Sequence, residues 1–291
     1  RCHLNPEDRS IERIMKQSVI VSTYNQPAWL EKSLHGYLYQ TFRDFELVIA
    51  DDGSDERTRE VIENFRSLAD FPVRHVWHED KGFRKCTILN KATLEATADY
   101  LIFTDGDCIP RRDFLETHSS LAEPGRFLSG GYCKLPMDLS KRISEDDIAS
   151  GRAFSLLWMR RHGLTGLSQS VKLGVGPTQA KMLDRIVPTH ASWNGHGSST
   201  WKKHILEVNG HNEEMRYGGE DRELGERLMN LGLRGKRIRY RALLIHLDHP
   251  RGYVNSEDLA KNKALREEVI SKGQVWCGHG IIKQDAPPQL K

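Results

Sequence analysis

The stretch YLIFTDGDCIP at residues 100–110 decides the fold prediction. Its first half is an apolar run rich in aromatic and β-branched residues, which is typical of a short strand buried on both faces. Pro110 has no N–H to donate, so the strand cannot continue through it in the middle of a sheet. Asp105 and Asp107 therefore lie at the carboxyl end of the strand, with Gly106 between them.

This position favours a metal and diphosphate site. Ligands of open α/β sheets bind at the carboxyl edge of the strands. Two carboxylates one residue apart can hold a hard divalent cation and the phosphates it carries, and Gly106 leaves room for them. The alternative is an Asp-Gly-Asp turn that only ends the strand through side-chain hydrogen bonds to the backbone.

Composition limits the class of protein. A chain of 291 residues permits one α/β domain with insertions, and we expect one large domain. The net charge of +3 is too small to predict nucleic-acid binding. Five cysteines without a C-x-x-C pair argue against a disulfide framework or a zinc site and favour a reducing compartment. There is no signal-peptide pattern and no run near the roughly 20 apolar residues of a membrane-spanning helix. The first residue, Arg1, suggests a fragment.

Strand and helix patterns alternate around the deciding stretch. Such alternation predicts α/β architecture, with a mostly parallel, doubly wound sheet flanked by helices. The loops that follow the strands then line one crevice, at 22–27, 51–55, 78–85 and 104–110. The predicted strands are 18–22, 45–50, 73–77 and 100–105, and the predicted helices are 29–38, 56–68 and 86–97.

The crevice loops carry groups suited to a nucleotide. Asp52 could accept hydrogen bonds from a base or ribose, and Tyr24 could stack on a planar ring. Arg84 and Lys85 supply positive charge for a diphosphate. No phosphate-binding glycine loop or dinucleotide fingerprint follows the first strand, so metal and side chains must hold the phosphates. The alternative for residues 51–54 is a turn that caps the next helix.

The middle of the chain is less informative. We expect one strand at 130–133, one helix from 144 to 161 with Asp146 and Asp147 on its solvated face, and a solvated basic loop at 160–172. Contact of that loop with an acceptor or an anionic membrane face is the alternative. The helix should bury Ile148, Phe154, Leu156, Leu157 and Trp158.

The last third of the chain again contains candidate functional residues. WNGHGSST at 193–200 is a small-residue segment that would let a substrate approach the backbone, and a helix is predicted at 201–208. YGGEDREL at 217–224 places paired carboxylates at the start of a helix, where the helix dipole stabilises a charged carboxylate that could act as a base. The alternative is that these acids only complement the dipole.

Three blocks resemble the family 2 glycosyltransferases with the GT-A fold: SVIVSTYN at 18–25, QTF at 40–42 leading to ELVIADDGS at 46–54, and FTDGD at 103–107. The resemblance covers about 18–125. It implies that Asp52 and the loop after the first strand (Ser22, Thr23, Tyr24 and Asn25) hold the nucleotide, usually with uracil as the base. Asp105, Gly106 and Asp107 would form the DxD motif for ribose and metal-diphosphate, and GFRKC at 82–86 resembles a donor-pocket block.

The later block resembles galactosyltransferase-type and chondroitin-polymerase-type enzymes. Asp221 would take the place of the catalytic base, and Glu220, with Gly219 and Trp193, would contact the acceptor. LLIHLDHP at 243–250 falls where such enzymes supply further metal ligands, with His249 favoured over His246 beside Asp105 and Asp107. Arg222 and Glu223 depart from the more acidic pattern of some relatives.

These features together predict an inverting glycosyltransferase that uses Mn²⁺ or Mg²⁺ and, by resemblance, UDP-sugars. The acceptor would be a glycan or lipid-linked glycan, in bacterial surface polysaccharide synthesis on the cytoplasmic side of a membrane that the protein could touch peripherally. One alternative is an inactive carbohydrate- or nucleotide-binding module on the same fold. Another is a nucleotidyl- or phosphotransferase, but the glycine-rich, lysine-bearing phosphate loop that such an enzyme needs after the first strand is absent from this sequence. We divide the chain into a lead-in (1–17), a nucleotide-sugar half (18–125), an acceptor and catalytic half (126–255), and a C-terminal helix and tail (256–291).

Overall fold

The computed structural model describes residues 15–250, 252 and 254–284. Most of the lead-in, residues 1–17, lies outside these residues. The strands are β1 (Gln17–Thr23), β2 (Phe45–Asp51), β3 (Val73–Trp77), β4 (Tyr100–Asp105), β5 (Cys108–Pro110), β6 (Arg126–Ser129), β7 (Gly131–Lys134), β8 (Ser198–Trp201), β9 (Arg234–Arg237) and β10 (Leu243–His246). The helices are α1 (Pro27–Leu38), α2 (Glu56–Leu68), α3 (Lys85–Glu95), α4 (Phe114–Leu121), α5 (Met137–Arg142), α6 (Glu145–Ala149), α7 (Leu156–Arg161), α8 (Leu167–Gly174), α9 (Pro177–Ile186), α10 (Lys202–Glu207), α11 (Glu220–Asn230) and α12 (Ser256–Lys272), with a 3-10 turn at Arg152–Phe154.

The main sheet has seven strands in the order β3-β2-β1-β4-β8-β6-β9. The first four strands are mutually parallel, and β8 runs antiparallel to both of its neighbours. The prediction of a mostly parallel α/β sheet flanked by helices is therefore confirmed. None of the described helices is long and apolar enough to cross a membrane.

Strands β6, β8 and β9 were not predicted from the sequence. In β8 the side chains of Ser198, Ser199 and Thr200 are fully buried although they are polar. Ser199 forms hydrogen bonds to the Tyr100 hydroxyl (2.8 Å) and to Nδ1 of His118 (2.7 Å), which compensates for its burial. Its neighbours in the sheet, rather than its own hydrophobicity, make this segment a strand.

A second, three-stranded sheet has the order β5-β10-β7. Pro110 ends the edge strand β5, where its missing N–H does no harm. In the antiparallel pairing of β5 with β10, Cys108 lies opposite His246. The N–H of Leu247 also donates to the carbonyl oxygen of Asp107 at 2.9 Å. These contacts bring the end of the DxD stretch against the histidine segment.

The hydrophobic core lies on both faces of the main sheet. Successive strand residues point to opposite faces, so Val19 and Val21 join one cluster and Ile20 joins the other. Helices α1 and α2 supply Leu34 and Ile62 to the first cluster, and α3 and α11 contribute to the second. Packing on both faces fixes the strand ends that carry the site.

The helix expected from 144 to 161 is broken, so that prediction is wrong. Gly151 has a φ of 78°, which ends α6 before the 3-10 turn begins. Asp147 is buried rather than solvated, because it forms a capping box with Ser144 and binds Arg152 at 2.9 Å. The break changes which side chains face inward. Of the five apolar residues expected inside, Ile148 is buried and Leu157 is 62% exposed.

Candidate active site

A cavity of about 770 Å³ opens at the carboxyl edge of the parallel strands. One wall follows β1, β2 and β4, and the opposite wall comes from the second half of the chain and from α12. The first wall includes Ser22, Thr23, Tyr24, Asp52, Lys85, Asp105, Gly106 and Asp107. The second wall includes Gly219, Glu220, Asp221, His246 and His249.

Asp52 lies at the inner end of the first wall and is 5% exposed. Its carboxylate contacts Nε2 of His78 at 2.7 Å and accepts the backbone N–H of Arg84 at 2.9 Å. Burial raises the pKa of Asp52 above its usual value, and the two hydrogen bonds oppose that rise. Tyr24 is half exposed beside it and donates its hydroxyl to Asp80 at 2.9 Å. A planar base could lie between these groups.

Asp105 forms an ion pair with Lys85. The Nζ atom of Lys85 lies 2.7 Å from Oδ1 of Asp105, and the hydroxyl of Ser22 donates to the same oxygen at 2.6 Å. Burial alone would raise the pKa of Asp105, but the charge and hydrogen bond of Lys85 hold it well below its usual range. Oδ1 of Asp105 is therefore already paired, and the role of Asp105 as a metal ligand stays a prediction.

Asp107 faces two histidines instead. Its Oδ2 atom lies 3.1 Å from Nε2 of His249 and 3.7 Å from Nε2 of His246. The Nδ1 atoms of both rings face backbone carbonyl oxygens, of Pro250 at 3.0 Å and of Leu247 at 2.9 Å. Nδ1 must carry hydrogen to make those bonds, so Nε2 is the ring atom that each histidine turns toward the carboxylate. One carboxylate oxygen and two imidazole nitrogens converge there, and this donor set fits Mn²⁺.

Cys108 lies beside this group, and among the described residues its sulfur joins Asp107 and His246 within 4.8 Å. Its side chain is fully buried, and burial raises the pKa of the thiol well above its usual value. A protonated thiol is a poor ligand for a hard cation. We therefore assign Cys108 to packing.

Gly218 and Gly219 have φ values of 113° and 92°, a conformation that glycine adopts without strain. They turn the chain into the N-terminus of α11, where Glu220 is buried and Asp221 lines the cavity. Oδ2 of Asp221 accepts the backbone N–H of Gly195 at 3.0 Å. Burial raises the pKa of Glu220, which Lys85 opposes and the charge of Asp221 reinforces.

His196 lines the cavity but was not singled out from the sequence. Its ring packs edge-on against Tyr132, with centroids 4.4 Å apart. Burial lowers the pKa of His196 to about 4, against the opposing charge of Asp105. The ring is therefore neutral at pH 7. In the sequence, His196 lies between two glycines, in the small-residue segment that we expect to let a substrate approach the backbone.

Three predicted contacts lie elsewhere. The indole of Trp193 is 1% exposed and packs between Phe103 and Phe127 in the core, so it cannot contact an acceptor. The Arg84 side chain hydrogen-bonds to the carbonyl of Glu79, away from the cavity lining. Asn25 uses its side-chain oxygen to accept the N–H of Asp55 at 2.8 Å. These residues support the loops that carry the site.

Two family models match this chain. Residues 18–129 match "Glycosyl transferase family 2". Residues 191–250 match "N-terminal domain of galactosyltransferase". The first match includes the DxD stretch at 105–107. The second includes Gly-Gly-Glu-Asp at 218–221 and the histidine segment at 243–250. The predicted resemblance is confirmed for both halves.

Curated relatives and solved structures agree with these matches. The uncharacterized glycosyltransferase YfnE of Bacillus subtilis is 27% identical, over 95% of this chain and 76% of its own length. Chondroitin synthase of Escherichia coli is 24% identical over 88% of this chain, which spans only 38% of that protein. The mannosyltransferase PcManGT of Pyrobaculum calidifontis superposes with a TM-score of 0.56 at 18% identity, over 82% of this chain and 59% of that one. TarS of S. aureus (residues 1–349) superposes with a TM-score of 0.57 at 17% identity, over 89% of this chain and 71% of that one.

The solved neighbours show the fold to be GT-A. The family match and the named relatives give the class of protein as a glycosyltransferase, similar to family 2 over residues 18–129.

Proposed function

We propose that this protein transfers a sugar from a nucleotide donor to a hydroxyl of a glycan acceptor, with a divalent cation and inversion at the anomeric carbon. The observation that carries this proposal is the arrangement of two groups in one cavity. Asp107 with His246 and His249 is proposed to hold the cation, and Glu220 and Asp221 line the same cavity.

The donor proposal is supported by the solved neighbours. PcManGT was solved with GDP-Man and Mn²⁺, and TarS with UDP and with UDP-GlcNAc. Asp52, Tyr24 and the loop after β1 are proposed to hold the nucleoside, with UDP as the first nucleotide to test. The chondroitin and hyaluronan synthases among the relatives support a polysaccharide acceptor, free or lipid-linked.

The proposed mechanism follows from charge. Asp221 takes the proton of the acceptor hydroxyl as its oxygen bonds to the anomeric carbon from the face opposite the diphosphate. The bond from that carbon to the diphosphate breaks, and its electron pair leaves with the nucleotide. Lys85, whose pKa the neighbouring carboxylates hold above its usual value despite burial, stabilises the departing negative charge. A cation held by Asp107 and the two histidines would, when bound, act as a Lewis acid on the same charge.

The first experiment measures nucleoside diphosphate release from a panel of nucleotide-sugars, without acceptor, in Mn²⁺ and then in chelator. Slow hydrolysis of one donor that the chelator abolishes would support the proposal. If no donor is hydrolysed and calorimetry detects no nucleotide binding in Mn²⁺, the inactive-module alternative takes its place. Proton NMR of the product tests inversion: an α-linked product from an α-linked donor would rule it out.

The base is tested by Asp221→Asn. Because general-base catalysis is typically worth about 10²–10⁴-fold, we expect a kcat loss in that range with UDP affinity in Mn²⁺ unchanged. The matched control is Asp70→Asn, at an exposed acid near the start of β3 on the amino edge of the sheet. Full activity of Asp221→Asn would remove Asp221 from the mechanism.

A further inference from the structure

Helix α12 closes one side of the cavity, although it lies beyond residue 250, where the second family match ends. Leu259, Lys263 and Arg266 of this helix line the cavity. The loop 216–219, which leads into Glu220 and Asp221, passes directly under the helix. Its contacts with α12 therefore bear on the position of both carboxylates.

The strongest contact is made by Asn262, which is 1% exposed. Its Nδ2 atom donates to the carbonyl oxygens of Arg216 at 2.9 Å, Tyr217 at 3.3 Å and Gly218 at 3.1 Å. The opposite amide orientation would turn Oδ1 toward three carbonyl oxygens, which only a donor can approach favourably. No described residue donates to Oδ1, so the amide acts here through its donor atoms.

One of these contacts reaches the catalytic carboxylates through a single peptide unit. The peptide between Tyr217 and Gly218 offers its carbonyl oxygen to Asn262. Its N–H donates to Oε2 of Glu220 at 2.8 Å. Asn262 and Glu220 therefore hold the two ends of the same planar group. Rotation of this peptide would release Glu220 and, with it, the start of α11.

The loop also fits closely against the helix. A Cβ atom on Gly218 would lie 2.2 Å from Cδ2 of Leu259, closer than any two such atoms approach. Arg266 binds Glu226 of α11, so the two helices are tied together one turn further along. The loop is therefore in close contact with α12, and Asn262 adds hydrogen bonds that restrain its peptide groups.

We propose that Asn262 is a positioning residue that holds the 216–218 backbone so that Glu220 and Asp221 face the acceptor hydroxyl. This rests on the function proposed above for Asp221. Asn262 itself does not line the cavity. Substitution of Asn262 should therefore lower kcat and leave donor KM unchanged, because catalysis depends on orientation more steeply than donor binding does.

Asn230, an exposed residue at the other end of the same helix pair, serves as the control. Its Nδ2 atom donates to the carbonyl oxygens of Val269 at 3.1 Å and Gln274 at 2.8 Å. Asn262→Asp and Asn230→Asp each replace the donor with an acceptor at almost constant shape, and both loosen α12. Only the first loosens the loop under the cavity.

The experiment measures hydrolysis of the best nucleotide-sugar from the donor panel, UDP binding in Mn²⁺ by calorimetry, and thermal unfolding of the full chain. For Asn262→Asp we expect kcat to fall about 10- to 100-fold, since small misplacements of reacting groups cost this much, with donor KM and UDP affinity unchanged. Asn262→Gln keeps an amide N–H that can donate hydrogen bonds, so its kcat should fall less than that of Asn262→Asp. Asn230→Asp should lower the unfolding temperature and leave kcat unchanged.

Equal kcat losses in both aspartate variants, or none in Asn262→Asp, would overturn the proposal. Hydrogen exchange of the 216–221 amides gives a readout independent of turnover, and it should accelerate in Asn262→Asp but not in Asn230→Asp. If the wild-type protein hydrolyses no donor, the proposed function fails, and unchanged exchange in Asn262→Asp would separately reject the positioning role.

Discussion

The two aspartates of the DxD stretch have different partners. We therefore expect their substitution to change UDP binding in different ways. Asp107 faces the histidines, whereas Asp105 is bound by Lys85 and Ser22. We expect Asp107→Asn to abolish the Mn²⁺ dependence of UDP binding. We expect Asp105→Asn to weaken UDP binding about 10-fold, as loss of a charge-assisted hydrogen bond does, and to keep the metal dependence.

Calorimetric titration of UDP in Mn²⁺ and in chelator measures both effects. The Ser22→Ala variant serves as the control, because it removes a neutral partner of Asp105 and leaves the Lys85 ion pair. If Asp105→Asn also lost its metal dependence, Asp105 would belong to the ligand set after all.

The positions of individual residues were predicted well where they follow from the residue's own strand or helix end. Asp52, Asp105 and Asp107 follow predicted strands, and all three line the cavity. The ion pair of Asp105 with Lys85 could not be predicted, because it depends on how the start of α3 packs beside β4. Trp193 was misassigned for a related reason: an indole next to glycines resembles a sugar platform, and only its neighbours reveal that it lies in the core.

At the scale of elements, α6 depends on its cap. The Ser144 side chain accepts the N–H of Asp147, and the Asp147 carboxylate accepts the N–H of Ser144 in return. Ser144→Ala should lower the free energy of unfolding by about 1 kcal/mol, the usual cost of losing an N-cap. Donor hydrolysis should not change, since none of these residues lines the cavity.

Chemical denaturation checks this prediction. Ser67→Ala is the control, because Ser67 is an exposed residue within α2 that bonds only to the carbonyl of Asn64. A loss at Ser67 equal to that at Ser144 would show that the cap contributes nothing.

The alternating elements before residue 110 were predicted almost to their ends, and most of them bury an apolar run or stripe, whereas β3 is only partly buried. The later elements depart from that rule. Strand β9 is Arg-Gly-Lys-Arg and pairs with β6 through its backbone alone, which no hydrophobic pattern reveals. The break at Gly151 requires a residue in the left-handed backbone conformation. The sequence does not show whether an isolated glycine within a helical pattern will adopt that conformation.

The stability of the whole molecule should fall in mild acid because of buried histidines. Burial lowers the pKa of His118 to about 3, from an ordinary value near 6.5. Below pH 6.5 the unfolded chain therefore binds a proton that the folded protein excludes, and the unfolding free energy falls by about 1.4 kcal/mol per pH unit for this group. The loss continues until the pH nears 3.

Urea denaturation of wild type and His118→Gln from pH 7.5 to pH 5 isolates this group from the carboxyl groups that also titrate. We expect the variant to be less stable at pH 7.5, with the difference shrinking by about 2 kcal/mol at pH 5. His190→Gln, at an exposed ring, is the control. A constant difference for His118→Gln would contradict the prediction.

The small sheet β5-β10-β7 has a consequence for synthesis of the chain. Its central strand, β10, is made last, and it joins β5 from the first half to β7 from the second. A nascent chain released only to the end of β9 would thus have its aspartate but neither histidine. Chimeras that exchange the two halves with those of another enzyme must carry over both the β4–β8 and β5–β10 pairings, since a cut at the boundary between the halves separates the strands of each pair.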